Sequence, residues 1–323
     1  MGKSLDEILK ELNKGRLDED KFKLASDEPE DHFVTKVVSS GSPYIDYKIS
    51  QEYGSGGVPL GRFILYVGGE GSGKTSMALI VAGIIQRATG KVAVIFDGEA
   101  TIDESYFTRF KVDKKLLIHY KGNNLEEMLN SCEALSKSDE VGCIIVDSLP
   151  IFYSTVVEQK FAEDNTIGIE AKKFNARMPI IYGNCNRRQI PLIALNYYKL
   201  DPGAMGKDPR KLSRGEWQRY FSSLTLEFTK GDLIMVDNEL VGHKLRVRIK
   251  KSKLDSYDGK DPFEVDFFYD RGFDAVSDYV TILIEEDFIK RGGAWYTLPN
   301  GDKMQGKEAV IEFFRSNEEY LLE

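Results

Sequence analysis

Residues 63–76 read FILYVGGEGSGKTS, a short apolar run that breaks into glycines and then into Lys74 and Thr75. Gly68-Gly69-Glu70-Gly71-Ser72-Gly73-Lys74-Thr75 fits the pattern of a glycine, four residues, then Gly-Lys-Thr, a phosphate-cradling loop between a strand and a helix. The pattern predicts a strand ending near Val67 and a helix beginning near Lys74. Glycines let consecutive backbone N–H groups turn inward at the positive end of that helix, where a Cβ would obstruct a triphosphate. Gly68 through Ser76 is therefore the candidate nucleotide-binding stretch. Within it Lys74 neutralises the β- and γ-phosphates of a bound triphosphate, and the Thr75 hydroxyl holds Mg²⁺. A chance Gly-Lys-Thr in a glycine turn would not come with strand, loop and helix in the order this mechanism needs.

Outward from the loop, Val92 to Phe96, Leu116 to His119, Gly142 to Val146 and Pro191 to Leu195 are short apolar runs with helical stretches between several of them. Continuous apolar strands alternating with helices predict a parallel sheet covered on both faces, an α/β fold. In such sheets ligands lie beyond the C-terminal strand ends. The residues there are Asp97-Gly98-Glu99 after VAVIF and Asp147-Ser148 after CIIV. An acidic residue closing a buried strand beside a phosphate loop suits Asp147 as the group that orients Mg²⁺ and its waters. Glu99 is then the candidate to position and polarise an attacking water. Both positions also suit ordinary helix caps or solvated loop entries.

The chain has 323 residues, 41% of them hydrophobic, which exceeds the usual size of one compact domain. One large domain with appendages is expected. The net charge of −8 argues against a polyanionic partner for the average surface only, so the distribution of cations decides. Cys132, Cys143 and Cys185 are odd in number, far apart and without metal-ligand spacing, which suits a reducing cytoplasm. His32, His119 and His243 are equally scattered, so no zinc site is expected. The longest plainly apolar run, Met77 to Ile85, is too short to cross a bilayer, and no signal peptide is expected.

At the N-terminus, Ser4 precedes Leu5, Glu7, Ile8, Leu9 and Leu12, with Gly15 behind them. This reads as a capping box, an apolar stripe at helical spacing and a stop. A helix of about three turns is marginal alone in water, so its stripe must rest on this chain's core or on a neighbouring subunit. The acidic SDEPED segment separates it from the body. From Phe33 the pattern turns to β-branched alternation, FVTKVV.

These residues, taken together, resemble RecA-type recombinases, and particularly the shorter phage-encoded, UvsX-like members. The resemblance rests on Ser40-Gly41-Ser42 with Ile45-Asp46, Gly56 to Arg62, GGEGSGKT, FDGEATIDESYF, CIIVDS, RVRIKKSK, Gly293-Ala294-Trp295-Tyr296 and Gln305-Gly306-Lys307-Glu308, in that order. It implies an N-terminal oligomerisation arm over 1–32, a RecA-like ATPase core over 33–273 and a small C-terminal domain over 274–323. It favours a neighbouring subunit as the surface the first helix covers. It places Asp103 and Tyr106 against the adenine, and a flat Tyr ring suits stacking on a base. Lys251 and Lys253 match two lysines that members extend across the subunit boundary to a neighbour's γ-phosphate, in the manner of an arginine finger.

The same resemblance implies two DNA-binding loops. The first, about Val156 to Thr166, is followed by Gly168, Lys172 and Asn175, which stand where the family holds the DNA backbone. The second, from about Lys199 to Arg214, is rich in Gly, Pro and cations, the composition of a mobile loop. Lys199, Lys207, Arg210, Lys211 and Arg214, with Arg219 just beyond, outnumber Asp201, Asp208 and Glu216, a local basic patch on an acidic protein. Lys244 to Lys253 carries six cations and no acid in ten residues. Strand alternation sends Lys244, Arg246, Arg248 and Lys250 to one face, whose role stays open. Three departures stand out. Asn196-Tyr197 replaces the family's glutamine switch, Pro179 replaces a basic residue and bends or starts its helix, and Tyr220 replaces an aromatic of similar shape at the subunit boundary.

The expected function is a DNA-dependent ATPase that needs ATP and Mg²⁺, forms helical homo-oligomeric filaments on single-stranded DNA and exchanges strands with homologous duplex DNA. Single-strand-binding and loader proteins are candidate partners, no membrane is involved, and the setting is the cytoplasm, the host's if the source is a phage. The alternatives are a ring-forming motor or helicase on the same core, or a recombination mediator that does not hydrolyse nucleotide.

Overall fold

The computed structural model describes residues 3–16, 21–27, 35–52, 54–155, 168–200, 210–215, 217–254 and 261–317. These fall into two units, residues 1–36 and 37–323. The expected first DNA loop, Lys207 and the expected boundary at residue 33 lie outside the described residues.

In the larger unit, strands β1 (Phe63–Gly68), β2 (Val92–Asp97), β3 (Leu117–Lys121), β4 (Val141–Asp147), β5 (Leu192–Asn196), β6 (Ser222–Val236), β7 (Glu239–Ser252), β8 (Phe263–Phe268) and β9 (Gly272–Phe273) form one sheet in the order β9-β8-β7-β6-β1-β5-β4-β2-β3. From β6 to β3 every pairing is parallel, and β7, β8 and β9 extend the sheet antiparallel. Strand β1 is buried along its whole length, because successive side chains enter different cores. Ile64 and Tyr66 pack with Met77 and Leu79 on one face, while Phe63, Leu65 and Val67 pack with Met128, Phe174 and Trp217 on the other. Helices α2 (Pro43–Ser50), α3 (Lys74–Thr89) and α4 (Glu104–Arg109) line the first face, and α5 (Leu125–Leu135), α6 (Ile169–Arg187) and α7 (Trp217–Phe221) the second.

Register fixes where the site can be. Val67 pairs with Asn196 and Asp97 with Asp147, so the C-terminal ends of β1, β5, β4 and β2 lie side by side. Helix α6 runs unbroken from Ile169 to Arg187 with Pro179 inside it, so Pro179 does not start that helix. Of the alternating FVTKVV stretch, Val37–Val38 forms a strand, paired with Val58–Pro59. The three cysteines are free and buried. Among the described residues no helix is long and apolar enough to cross a membrane.

A third apolar cluster joins α8 (Ala275–Glu285), a three-stranded sheet (Lys290–Gly292, Trp295–Thr297, Lys303–Gln305) and α9 (Lys307–Ser316) around Val280, Tyr296 and Phe314. Helix α8 meets α2 through polar groups. The Ser42 hydroxyl donates to Asp278 Oδ2 at 2.5 Å, Lys48 Nζ lies 2.6 Å from Glu285, and the Tyr44 and Tyr47 hydroxyls donate to Glu285 and Glu286. Burial pushes the Asp278 carboxyl up to about 7, against the pull of the Ser42 bond. An unfolded Asp titrates near 4, so folding binds a proton at this group between those values. Its contribution to stability is complete below pH 4 and is lost as pH rises through 7. Thermal melts of Asp278→Asn should show a shallower fall in Tm between pH 5 and pH 8 than the wild type. An unchanged slope would assign the pH dependence to other groups.

The smaller unit contains α1 (Leu5–Leu12), capped as expected: the Ser4 hydroxyl accepts from Glu7 N, and the Glu7 carboxylate accepts from Ser4 N at 2.9 Å. Asn13 then clamps Phe22 through its backbone N–H and carbonyl. Leu5, Ile8 and Leu12 are 55%, 41% and 45% exposed, so none of the described residues of this unit covers the stripe.

Candidate nucleotide-binding site

The loop after β1 is shaped for close approach. A Cβ at Gly68 would lie 2.4 Å from the Phe228 carbonyl oxygen and 2.6 Å from Ser72 Oγ. Gly73, at φ +83°, occupies the N-cap of α3 without any side-chain cap, which leaves the first backbone N–H groups of the helix to an anion. Lys74 Nζ donates to the carbonyls of Gly68 at 3.0 Å and Gly69 at 2.7 Å, folding over the loop its charge would serve. Burial lowers its pKa, and the nearby Asp147, Glu99 and Glu70 carboxylates oppose that shift.

Neighbouring strand ends supply the acids. The Thr75 hydroxyl donates to Asp147 Oδ2 at 2.6 Å, and the Ser148 hydroxyl donates to Glu99 Oε1 at 3.0 Å. Asp97 is buried and accepts from the backbone N–H groups of Thr101 and Ile102, which fixes the turn that presents Glu99. Burial pushes the Asp147 carboxyl up to about 6. The Thr75 bond pulls against it, and the Glu99 and Asp97 carboxylates add to it. Two buried carboxylates, Asp97 and Asp147, gathered beside the exposed Glu99 favour a cation. Among the described residues no set of three or more His, Cys, Asp or Glu could hold a metal ion by itself. The Thr75 hydroxyl and the Asp147 carboxylate suit Mg²⁺, which takes one or two protein oxygens and completes its octahedron with phosphate and water.

A cleft of about 380 Å³ opens beside the loop, walled by Gly71 to Ser76, Tyr106, Arg109, Phe110, Lys230, His243, Phe267 and Tyr269. Tyr106 thus stands in the wall of the cleft. Asp103 caps α4, accepting from the backbone N–H groups of Ser105 and Tyr106 at 2.9 and 3.3 Å. The β7 and β8 side of the wall, with His243, Phe267 and Tyr269, was not legible as part of the site. These residues read as ordinary strand letters, and only the antiparallel extension of the sheet brings them opposite the loop.

The expected DNA residues divide into three groups. Gly168, at φ +80°, starts α6, and Lys172 and Asn175 share an exposed face of that helix. Lys199 and Lys211 lie directly opposite each other on a two-stranded ribbon, Tyr198–Leu200 against Arg210–Leu212. Arg210 and Arg214 are engaged by the protein. Arg210 Nη1 is 2.6 Å from Glu227 Oε1 and its guanidinium lies over the Tyr198 ring. Arg214 pairs with Glu170 and donates to the carbonyls of Pro150 and Phe152, each at 2.7 Å. Its geometry is that of a strut joining the segment after β4, the start of α6 and the base of the second loop. Arg214→Ala should lower the unfolding free energy by about 2–3 kcal/mol, since it leaves a partly buried carboxylate and two carbonyls without their donor. Denaturant titration checks this, and an unchanged midpoint would release Arg214 for a surface role.

Lys251 and Lys253 follow a bulge in β7 at Lys250, where the register against β6 slips. Lys251 donates to the Arg219 carbonyl, and Lys253 N–H donates to the Ser223 carbonyl at 2.8 Å. Burial, and then the Lys253 charge, lower the Lys251 pKa. Tyr220, next to Arg219, is 78% exposed. The other face of β7 is partly neutralised: Arg246 bonds Glu264 and Lys250 lies 3.7 Å from Glu227. At the switch position Asn196 is fully buried and donates to Ser213 O at 2.9 Å and Gln218 Oε1 at 2.6 Å. Gln218 Nε2 donates to Ser213 O and Gly215 O. One amide network therefore links the end of β5 to the base of the second loop, while Tyr197 stays at the surface.

A strand–loop–helix phosphate cradle with a Thr–Asp pair, at the C-terminal edge of a mainly parallel sheet, defines a phosphate-loop nucleotide-binding protein. The family model of the RecA N-terminal domain matches residues 3–274, and the chain belongs to the RecA family, whose members are DNA-dependent ATPases of recombination. It is 28% identical over 291 residues to Protein RecA of Mycoplasma mycoides subsp. mycoides SC, covering 89% of this chain and 81% of that protein. The crystal structure of the RadB recombinase aligns with a TM-score of 0.53 at 16% identity, over 72% of this chain and 97% of that one, a likeness of fold.

Proposed function

We propose that the protein is a DNA-dependent ATPase that polymerises on single-stranded DNA and drives strand exchange with a homologous duplex, as in the phage-encoded, UvsX-like branch of the family. The observation that carries the reading is the pairing of Thr75 with Asp147 at 2.6 Å beside Glu99 held by Ser148 at 3.0 Å. It gathers a metal-orienting acid and a water-orienting acid at the phosphate loop. ATP sits with its phosphates on Gly68 to Ser76 and its base by Tyr106, and Mg²⁺ would bind Thr75 and, through water, Asp147. The bound ion would supply charge neutralisation for phosphoryl transfer. Glu99 orients and polarises the water.

Lys251 and Lys253 act on a neighbour's nucleotide. An exposed Tyr220 and two adjacent cations on the same edge suit a subunit boundary. The uncovered stripe of Leu5, Ile8 and Leu12 suits an arm, 1–32, that lies on the adjacent protomer. DNA runs along Gly168, Lys172 and Asn175 and the ribbon of Lys199 and Lys211, with Arg219 as a further contact. The 274–323 region serves as a small C-terminal domain, single-strand-binding and loader proteins are candidate partners, and the setting is the cytoplasm. A strand-exchange assay with circular single-stranded and homologous linear duplex DNA tests the reading. Joint molecules are expected only with ATP and homology. Unwinding without homology would indicate a motor, and unchanged ATP turnover in Lys74→Ala would indicate a mediator.

A further inference from the structure

His243 is 2% exposed, yet neither of its ring nitrogens has a hydrogen-bond partner among the described residues. A neutral imidazole carries one donor and one acceptor, and leaving either unmade in a buried place costs free energy. Such a group calls for an explanation, and its surroundings provide one. His243 lies in the wall of the cleft beside the phosphate loop. It sits two residues before Leu245 on β7, so both side chains project from the same face of the strand. Leu245 reaches the loop itself: its methyl carbons lie 3.7 and 3.8 Å from the point a Cβ on Gly73 would occupy. His243 is therefore turned toward the same cavity about one strand repeat further from the phosphate cradle.

The neighbouring wall is aromatic. The His243 ring centroid is 5.6 Å from Phe267 and 5.5 Å from Tyr269, and Tyr106 and Phe110 face the same cleft. Phosphates have no place among such rings, whereas a flat heterocycle and its sugar do. A base or ribose entering there brings polar atoms that need partners, and His243 stands among these rings with the Arg109 and Lys230 cations in the same wall. Burial, and then the nearby Lys230 charge, keep the imidazole neutral, so it retains both the donor and the acceptor.

We infer that His243 recognises the nucleoside part of the bound triphosphate, closing one of its unmade hydrogen bonds on the base or the ribose. The inference rests on the proposed triphosphate site and adds to it a residue that discriminates nucleotide from bare polyphosphate. The test compares ATP with inorganic tripolyphosphate, each with Mg²⁺, in calorimetric titrations of the wild type and His243→Phe. The phenyl ring keeps the shape and removes both nitrogens. The variant should bind ATP about three- to tenfold more weakly, the worth of one hydrogen bond, and bind tripolyphosphate as the wild type does. Equal ATP affinity in the two proteins, or an equal loss for both ligands, would overturn the assignment.

A second measurement does not depend on the variant folding. With three histidines in the chain, ¹⁵N-histidine spectra of the wild type resolve His243 readily. ATP should shift one of its ring nitrogens and tripolyphosphate should not; no shift with ATP would also overturn the assignment. If the wild type binds neither ligand, the triphosphate site itself is refuted, which is a separate outcome.

Discussion

Glu99→Gln is expected to lower DNA-stimulated ATP turnover by about 10²–10⁴-fold, the range for removing a positioned general base. Nucleotide affinity should change by less than about threefold, because the lost group acts on water and not on the phosphates. The amide keeps the volume of the carboxylate and can still accept from the Ser148 hydroxyl, so the turn set by Asp97 stays in place. Quenched-flow measurement of a single turnover separates this from slow product release. Turnover within tenfold of the wild type would move the role of base elsewhere. Normal chemistry with slow release would reassign Glu99 to product exit.

The second large effect concerns two residues outside the protein's own loop. Lys251→Ala combined with Lys253→Ala should reduce DNA-stimulated turnover by about 10³-fold or more, the scale of an arginine finger. Nucleotide binding to isolated protomers should be nearly intact. Lys251 holds the Arg219 carbonyl in this structure, so its cation would have to leave that oxygen to meet a neighbour's phosphate. Mixing the double variant with excess Lys74→Ala protein gives a sharper reading. Partial recovery of turnover means that each protomer completes the other's site. Loss of nucleotide binding in the isolated double variant would place these lysines in the protein's own pocket.

The parts of the molecule legible in the sequence are those where neighbouring letters suffice. FILYVG is apolar on both faces and had to be a central strand. Glycines before Lys74 had to be a phosphate loop, and Asp147 and Glu99 stand out because each closes or follows such a strand. Ser4 and Glu7 bond across one turn, so α1 could be read from its own residues. What stayed hidden depends on partners far away in the chain. Arg214 has the look of a loop cation until Glu170 and the carbonyls of Pro150 and Phe152 are seen around it. Asn196 reads as a substitution for a glutamine; only folding brings Gln218 to it. His243 occupies a core position in an alternating strand. Alternation tells which face a side chain takes but not whether that face meets packed carbon or an open cleft.

The central claim is that the nucleotide is shared between protomers arranged on DNA. Electron microscopy of the purified chain on long single-stranded DNA, with Mg²⁺ and a slowly hydrolysed ATP analogue, tests it most directly. The account predicts continuous helical filaments that require nucleotide and disappear in the Lys251, Lys253 double variant. Closed rings, or protein that stays monomeric on the DNA with nucleotide present, would contradict it.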